Sequence, residues 1–446
     1  MRVSSKILSG ICVLVLCFVL LPTNISGQNS PASSGEAITI TYNFPAPRVE
    51  ETSEVPSTKG ALPLPEGYAS VTMEGLPQSS GPGLPVLPFK TARVLLPYGF
   101  DVERITVTCG NKVALPGSYV VEPGQELVPL SYEGSVNITP PDPDVYDSSA
   151  PFPGKLYSGD TIQNKSGYRI LLVCLHPVEY IPKPGELSYY ESLTVEVTLR
   201  AAAAESEWQR GRHLAQEEDM VMEMVDNPEI IMSYHTASPS SEKSFLLNPD
   251  DYEYVIITSE ALNATPGPNN LQALRDEKIS RGITATIVTT EWIYANYPGT
   301  RPDGGTDNQT RIRNFIIDAY NNWGTKYVLL GGDGDGADVG GESGDDIIPH
   351  RGFWADCYTW PPYDSDIAAD MYYACLDGTF DNNANGIYGQ PNDGPGGGEV
   401  DLFAEVYVGR APVDSEAEVQ NFVSKTLAYQ NTPITDENLR KVWICL

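Results

Sequence analysis

Two kinds of hydrophobic spacing divide the chain. Up to about residue 200, apolar and polar residues alternate in short runs broken by Pro and Gly. Leu193, Val195, Val197 and Leu199 share one strand face, and residues 168–175 form a stronger apolar run. A period of two between turn residues predicts half-buried strands, here also near 92–96, 103–109 and 118–122. After residue 251 the spacing lengthens. Residues 254–258 read as a buried strand, and Leu271, Leu274 and Ile279 share a helix face closed by Gly282. A strand over 283–289 follows. Ile312, Phe315, Ile316, Ala319 and Trp323 then mark an amphipathic helix, and 327–330 a third strand. The apolar run 402–409 reads as a buried strand, and 441–446 begins another. Between them Ser415 and Glu418 form a capping box for a helix carrying Val419, Phe422, Val423 and Leu427. Alternating strands and helices predict a mostly parallel sheet covered by helices; the earlier part is all-β, a sandwich.

The ends and joints are legible from composition. Arg2 and Lys6 precede an apolar run over 7–21 that Pro22 closes, and Ile25-Ser26-Gly27 offers a cleavage point. Residues 1–27 therefore read as a signal peptide, a retained anchor being the alternative. Residues 28–63 read as a weakly ordered lead, 64–200 as the β-rich domain, 201–250 as a linker and 251–446 as the α/β domain. The linker carries Arg210 and Arg212, a helix near 214–225 and a Ser/Pro tract over 238–241. It is either a solvated connection or a processing site. The chain ends inside an expected strand, so it reads as incomplete at that end.

Charge narrows the partners. The 446 residues carry a formal net charge of −31. That repels nucleic acid and anionic membranes, and no run after the leader suggests membrane insertion. Secretion and work beside calcium fit it. From Asp333 to Glu405 there are 16 Asp or Glu against Arg351 and His350, so the carboxyl ends of the strands, where ligands sit in open parallel sheets, are acidic. His350 stands beside Arg351, which disfavours its protonated form. The Gly-rich run 331–336 lacks the Lys and Ser/Thr of a phosphate loop, and its aspartates would repel phosphate, which counts against a nucleotide-binding α/β protein. Asp381, Asn383 and Asn385 alternate ahead of Gly386, as in a calcium loop. Ile387 would add a carbonyl oxygen, and Asp377, Asp393 or Glu399 would complete the shell, since position twelve is Asn392. A turn rich in Asn and Gly is the other explanation. Five cysteines follow the leader, with no C-x-x-C pair, so zinc is not expected. Cys357 and Cys375 could pair or be buried thiols; Cys445 reads as core.

The order of several motifs resembles the gingipain-type cysteine peptidases, whose fold is related to that of caspases. They are Tyr327-Val328-Leu329-Leu330-Gly331-Gly332-Asp333, Ile348-Pro349, Asp370-Met371-Tyr372-Tyr373-Ala374 and Glu405-Val406-Tyr407-Val408-Gly409-Arg410. In the β-rich part, Gly83-Leu84-Pro85-Val86-Leu87-Pro88 and Pro177-Val178-Glu179-Tyr180 resemble that family's propeptide domain. The resemblance implies a secreted endopeptidase precursor acting on proteins or peptides, containing calcium, and held inactive by its own prodomain. It implies a Cys nucleophile and a His, both after the strand that Lys441 begins. No residue of this chain is then catalytic, and the chain as given is inactive. Asp370 matches the position that receives a basic substrate side chain in arginine-specific members. The competing expectation is a calcium-stabilised extracellular binding protein with an inactive peptidase fold.

Overall fold

The computed structural model describes residues 37–51, 67–126, 138–202, 215–235, 247, 250–334, 346–356, 363–393 and 400–433. The expected leader, Arg210, Arg212, the Ser/Pro tract, Cys357, Glu399, Cys445 and the strand at 441–446 lie outside them. The β-rich and α/β regions belong to one unit, Ser34–Leu446.

The β-rich region consists of antiparallel sheets. β1 (Ala37–Asn43) and β3 (Phe100–Cys109) flank β6 (Ser192–Ala201), while β2 (Lys90–Leu95) and β4 (Tyr157–Lys165) flank β5 (Tyr168–Leu175). The lead is therefore not without structure. Ala37–Asn43 pairs with β6 from Ala37↔Thr198 to Asn43↔Ser192, because Ile38, Ile40 and Tyr42 alternate like the strand they join. β4 and β5 close through a two-residue turn, with Lys165 opposite Tyr168. Both turn residues have positive φ, Ser166 at 51° and Gly167 at 83°, the backbone of a tight hairpin. The expected strand at 118–122 is reduced to isolated bridges.

The linker is only partly a solvated connection. Its helix α1 (Ala215–Met224) buries Val221 against Leu95, Tyr168 and Ile170 of the β-rich region, joined by Val225, Ile231 and Tyr234.

The α/β region follows the expected grammar. β7 (Tyr254–Thr258), β8 (Ala285–Thr289), β9 (Tyr327–Gly331) and β10 (Tyr407–Ala411) form a fully parallel sheet in the order β8-β7-β9-β10. Successive residues of a strand face opposite sides. Val255, Ile257, Val328 and Leu330 pack under α3 (Thr290–Asn296) and α4 (Asn308–Trp323), with Phe315 and Ile316 at the centre. Ile256 and Leu329 face α2 (Leu271–Ser280) and α5 (Glu416–Asn431), meeting Leu274, Val419 and Val423. Asp307 caps α4 by accepting from the Thr310 amide at 2.8 Å, and Gly324, with φ 71°, ends it.

Two local expectations change. The strand over 402–409 shrinks to β10, and Leu402 is 54% exposed. Residues 401–405 form a connection whose polar groups bind the β-rich region instead of a neighbouring strand. At α5 only part of the capping box forms: Glu418 accepts from the Asp414 amide at 3.0 Å, and Ser415 makes no side-chain cap. No described helix is long and apolar enough to cross a membrane.

Candidate active site and the acidic loops around it

At the carboxyl ends of β9 and β10 the chain must pass through a crowded junction. Gly332 donates to the Ala411 carbonyl at 3.0 Å, and Asp333 to that of Val413 at 3.2 Å. A Cβ on Gly332 would stand 2.5 Å from Ile347 Cγ2, so only glycine fits. Arg410 fixes the junction. Its Nη1 donates to the carbonyls of Gly332 (3.0 Å) and Ile348 (2.7 Å). Its Nη2 and Nε grip Asp370 Oδ1 (2.6 Å) and Oδ2 (2.9 Å), the two-pronged match of guanidinium to carboxylate. Asp370 precedes the helical turn Met371–Ala374 but does not cap it with its side chain.

His350 closes one wall. Its Nδ1 lies 2.5 Å from the Gly334 carbonyl and its Nε2 3.2 Å from Asp366 Oδ1. The neighbouring Arg351 turns away: it pairs with Asp307 at 2.9 Å and lies over the rings of Tyr388 and Tyr372, 4.0 and 4.5 Å from their centroids. His350 thus faces a carboxylate rather than the guanidinium beside it in sequence. Asp333, His350, Asp370, Arg410, Asp414 and Glu418 line an open cavity of about 500 Å³. Carboxylates dominate it, as the acidic count predicts, and it lies where open parallel sheets hold ligands.

The family model for peptidase family C25 matches residues 247–445. Over these residues the chain is similar to that family. The cavity therefore lies within the matched residues, called the C25 region below. No curated protein matches the chain. Among solved structures, the chain is similar to one described as the complex of Porphyromonas gingivalis RgpB pro- and mature domains. That match has a TM-score of 0.33 and 13% identity, over 44% of this chain and 95% of that one. A second concerns the zymogenic latency of gingipain K from Porphyromonas gingivalis, with a TM-score of 0.28 and 17% identity, over 38% and 94%. The likeness to C25 rests on the sequence match.

The calcium-like loop of the C25 region is a compact turn. Asp381 and Asp393 are fully buried. Asp381 Oδ1 accepts from the Asn385 amide (2.9 Å) and Oδ2 from the Gly386 amide (3.0 Å). Asp393 accepts from the amides of Asn382 (2.6 Å) and Asn383 (2.9 Å). Asn383 Oδ1 and Asn385 Oδ1 accept from the amides two residues onward, at Asn385 and Ile387. A carboxylate oxygen has two acceptor sites, so the bonded oxygens of Asp381 and Asp393 keep capacity for a cation. The structure brings Asp381, Asn383, Asn385, Ile387 and Asp393 together in this turn. It places Asp377 elsewhere, beside Glu405 and Ser166. No three His, Cys, Asp or Glu among the described residues form a metal cage. Cys375 is buried, and burial pushes its thiol well above the ordinary range.

Sequence reasoning missed the contact between the two regions. Gln163 donates to the Val400 carbonyl at 2.8 Å, and the Asn164 amide and side chain both donate to Asp401 Oδ2, at 2.5 and 3.1 Å. Lys165 donates to the Ala404 carbonyl. Glu405 Oε1 accepts from the Ser166 amide at 3.1 Å and Oε2 from the Leu376 amide at 2.7 Å. Burial raises Asp401 to about 6 against the opposing pull of the Phe403 and Asn164 amides. Burial, reinforced by Asp377, pushes Glu405 well above the usual carboxylate range. α1 extends the contact, with Gln216 on Lys326 and Glu217 on Tyr320. Lys326 and Glu405 precede β9 and β10, so these bonds gather at the amino ends of the strands, opposite the cavity.

Proposed function

We propose that the protein is the precursor of a secreted cysteine endopeptidase, and that the cavity beside Arg410 forms the substrate-side half of its active site. The family match supports the class of chemistry, and the Arg410–Asp370 clamp at the carboxyl end of the sheet is the observation that carries the location. In this reading Asp370 lines the substrate side, and a basic substrate side chain would share it with Arg410. The nucleophile in this reading is a Cys and its proton partner a His, the pair that the family resemblance implies. The thiolate attacks the scissile carbonyl carbon, the carbon–nitrogen bond breaks, the His returns a proton to the leaving amine, and water releases the acyl group. The β-rich region is the prodomain, and the acidic composition with the leader over 1–27 supports export. The turn holding Asp381, Asn383, Asn385, Ile387 and Asp393 binds one structural calcium ion.

The test uses the complete protein and peptides varied at the residue before the scissile bond. Hydrolysis abolished by iodoacetamide is expected. A coding sequence without His and Cys beyond Leu446, or hydrolysis indifferent to iodoacetamide, overturns the proposal. The first of these results favours the calcium-stabilised binding protein. For the turn, chelation should lower the melting temperature of the wild type more than that of Asp381→Asn.

A further inference from the structure

A second, smaller cavity lies where the β-rich and C25 regions meet. Its volume is about 20 Å³, room for a single water-sized particle. Ser166, Asn321, Asp377 and Glu405 supply oxygen-bearing side chains to its wall. Ser166 is 1% exposed, and its hydroxyl has no hydrogen-bond partner among the described residues. Among the described residues Glu405 accepts from the neutral amides of Ser166 and Leu376, and the charges that act on it most, Asp377 and Asp401, are also negative. Lys165, the nearest lysine in sequence, is engaged with the Ala404 carbonyl. Ile317, Tyr320 and Asn321 belong to the last two turns of α4, so the negative end of that helix dipole also points toward the cavity. Asn321 engages its amide nitrogen with the Ile317 carbonyl at 2.7 Å, which leaves its side-chain oxygen as a further donor to a cation.

A buried carboxylate among neutral donors and like charges is neutralised either by a proton, which the raised Glu405 would hold, or by a bound cation that displaces that proton. Two carboxylates, an amide oxygen, an unpartnered hydroxyl and a helix carboxyl end around a one-atom space are the donor set of a hard cation, and two negative charges favour a divalent one. We propose that Ser166, Asn321, Asp377 and Glu405 hold a calcium ion that fastens the hairpin turn of the β-rich region to the C25 region. The seat is separate from the turn at 381–393 and does not depend on the peptidase reading. It also gives a role to a serine at a left-handed position, where a turn ordinarily takes Asn, Asp or Gly.

The experiment strips the full chain of metal with chelator and adds calcium, following binding by titration calorimetry and amide exchange by mass spectrometry. Calcium should slow exchange of the Ser166 and Leu376 amides at least tenfold in the wild type and in Asp381→Asn. Ser166→Ala should weaken that binding about tenfold, and Glu405→Gln should abolish it. Should Glu405→Gln fail to fold, Ser166→Ala alone decides, since it removes only the hydroxyl. Exchange at Ser166 and Leu376 that ignores calcium, or calcium binding unchanged by Ser166→Ala, means a buried water fills the space and overturns the proposal. Equal protection by sodium alone overturns the divalent assignment.

Discussion

Removing the guanidinium of Arg410 tests whether Asp370 is an anchored residue or a free one. Arg410→Met deletes a forked ion pair and two hydrogen bonds to the carbonyls of Gly332 and Ile348. The Asp370 side chain is 30% exposed and that of Arg410 16%, so water recovers part of the loss on the carboxylate side. The two carbonyls sit in a packed junction, and leaving them without a donor costs roughly 1–3 kcal/mol each. We expect Arg410→Met to destabilise the C25 region by about 3–5 kcal/mol and Asp370→Asn by about 1 kcal/mol. The double variant should show a coupling of about 1–2 kcal/mol, and Arg410→Lys should fall between, because an ammonium cannot fork. Urea unfolding of the four proteins, followed by tryptophan fluorescence, gives the cycle. A coupling under about 0.5 kcal/mol, the usual scatter between independent sites, refutes the clamp and leaves Asp370 free for a ligand.

Three further outcomes follow from the packing and the charges. Phe315 is fully buried with its ring edge-on to Tyr297, Trp292 and Trp323, so Phe315→Ala should cost about 3–5 kcal/mol in chemical denaturation. Burial raises Asp401 to about 6, so its ionisation opposes the contact between the two regions. That contact should tighten as the pH falls from about 7 towards the unfolded carboxylate value of about 4, read as slower exchange of the Asn164 amide after correction for the intrinsic rate. Asp101 behaves oppositely: burial would raise it, but Arg200 and Arg169 hold it below the ordinary value. Its stabilisation is present above the unfolded carboxylate value and lost as the pH falls through the lowered one, so Asp101→Asn should flatten the acid limb of a pH–stability curve.

Local chemistry made some elements readable and long-range chemistry hid others. The strand Tyr254–Thr258 and the helix Asn308–Trp323 carry their own signals, a β-branched apolar run and a 3.6-residue period with Asp and Gly at its ends. The run 402–409 carried a misleading one. Leu402, Phe403, Ala404 and Val406 look like a buried strand, yet Asp401 and Glu405 accept amides of Asn164 and Ser166, which no local pattern announces. The acidic rim was legible as composition; the engagement of Asp370 was not, because its partner arrives forty residues later on β10. Asp377 lies four residues before Asp381, but the intervening turn, with φ 63° at Gly378 and 61° at Phe380, sends Asp377 to the cavity beside Glu405 and Asp381 into the turn that ends at Asp393. Ser166-Gly167 between two alternating runs was a readable hairpin signal, and its role in the contact appears only once the hairpin has somewhere to dock.

The contact between that hairpin and residues 400–405 also sets an order of events during folding. Its bonds join residues 237 to 239 positions apart. Closing an unstructured loop of that length costs roughly 5 kcal/mol in chain entropy, from (3/2)RT ln n. The contact therefore forms last, after the intervening helices and strands have shortened the effective loop. Sequence emerging first, the β-rich region folds without its partner, and the Asn164 and Ser166 amides bond to water until the contact forms. Weakening the fastening should leave the rate of folding unchanged and hasten unfolding, so these few polar groups govern how long the assembled chain persists rather than how fast it assembles.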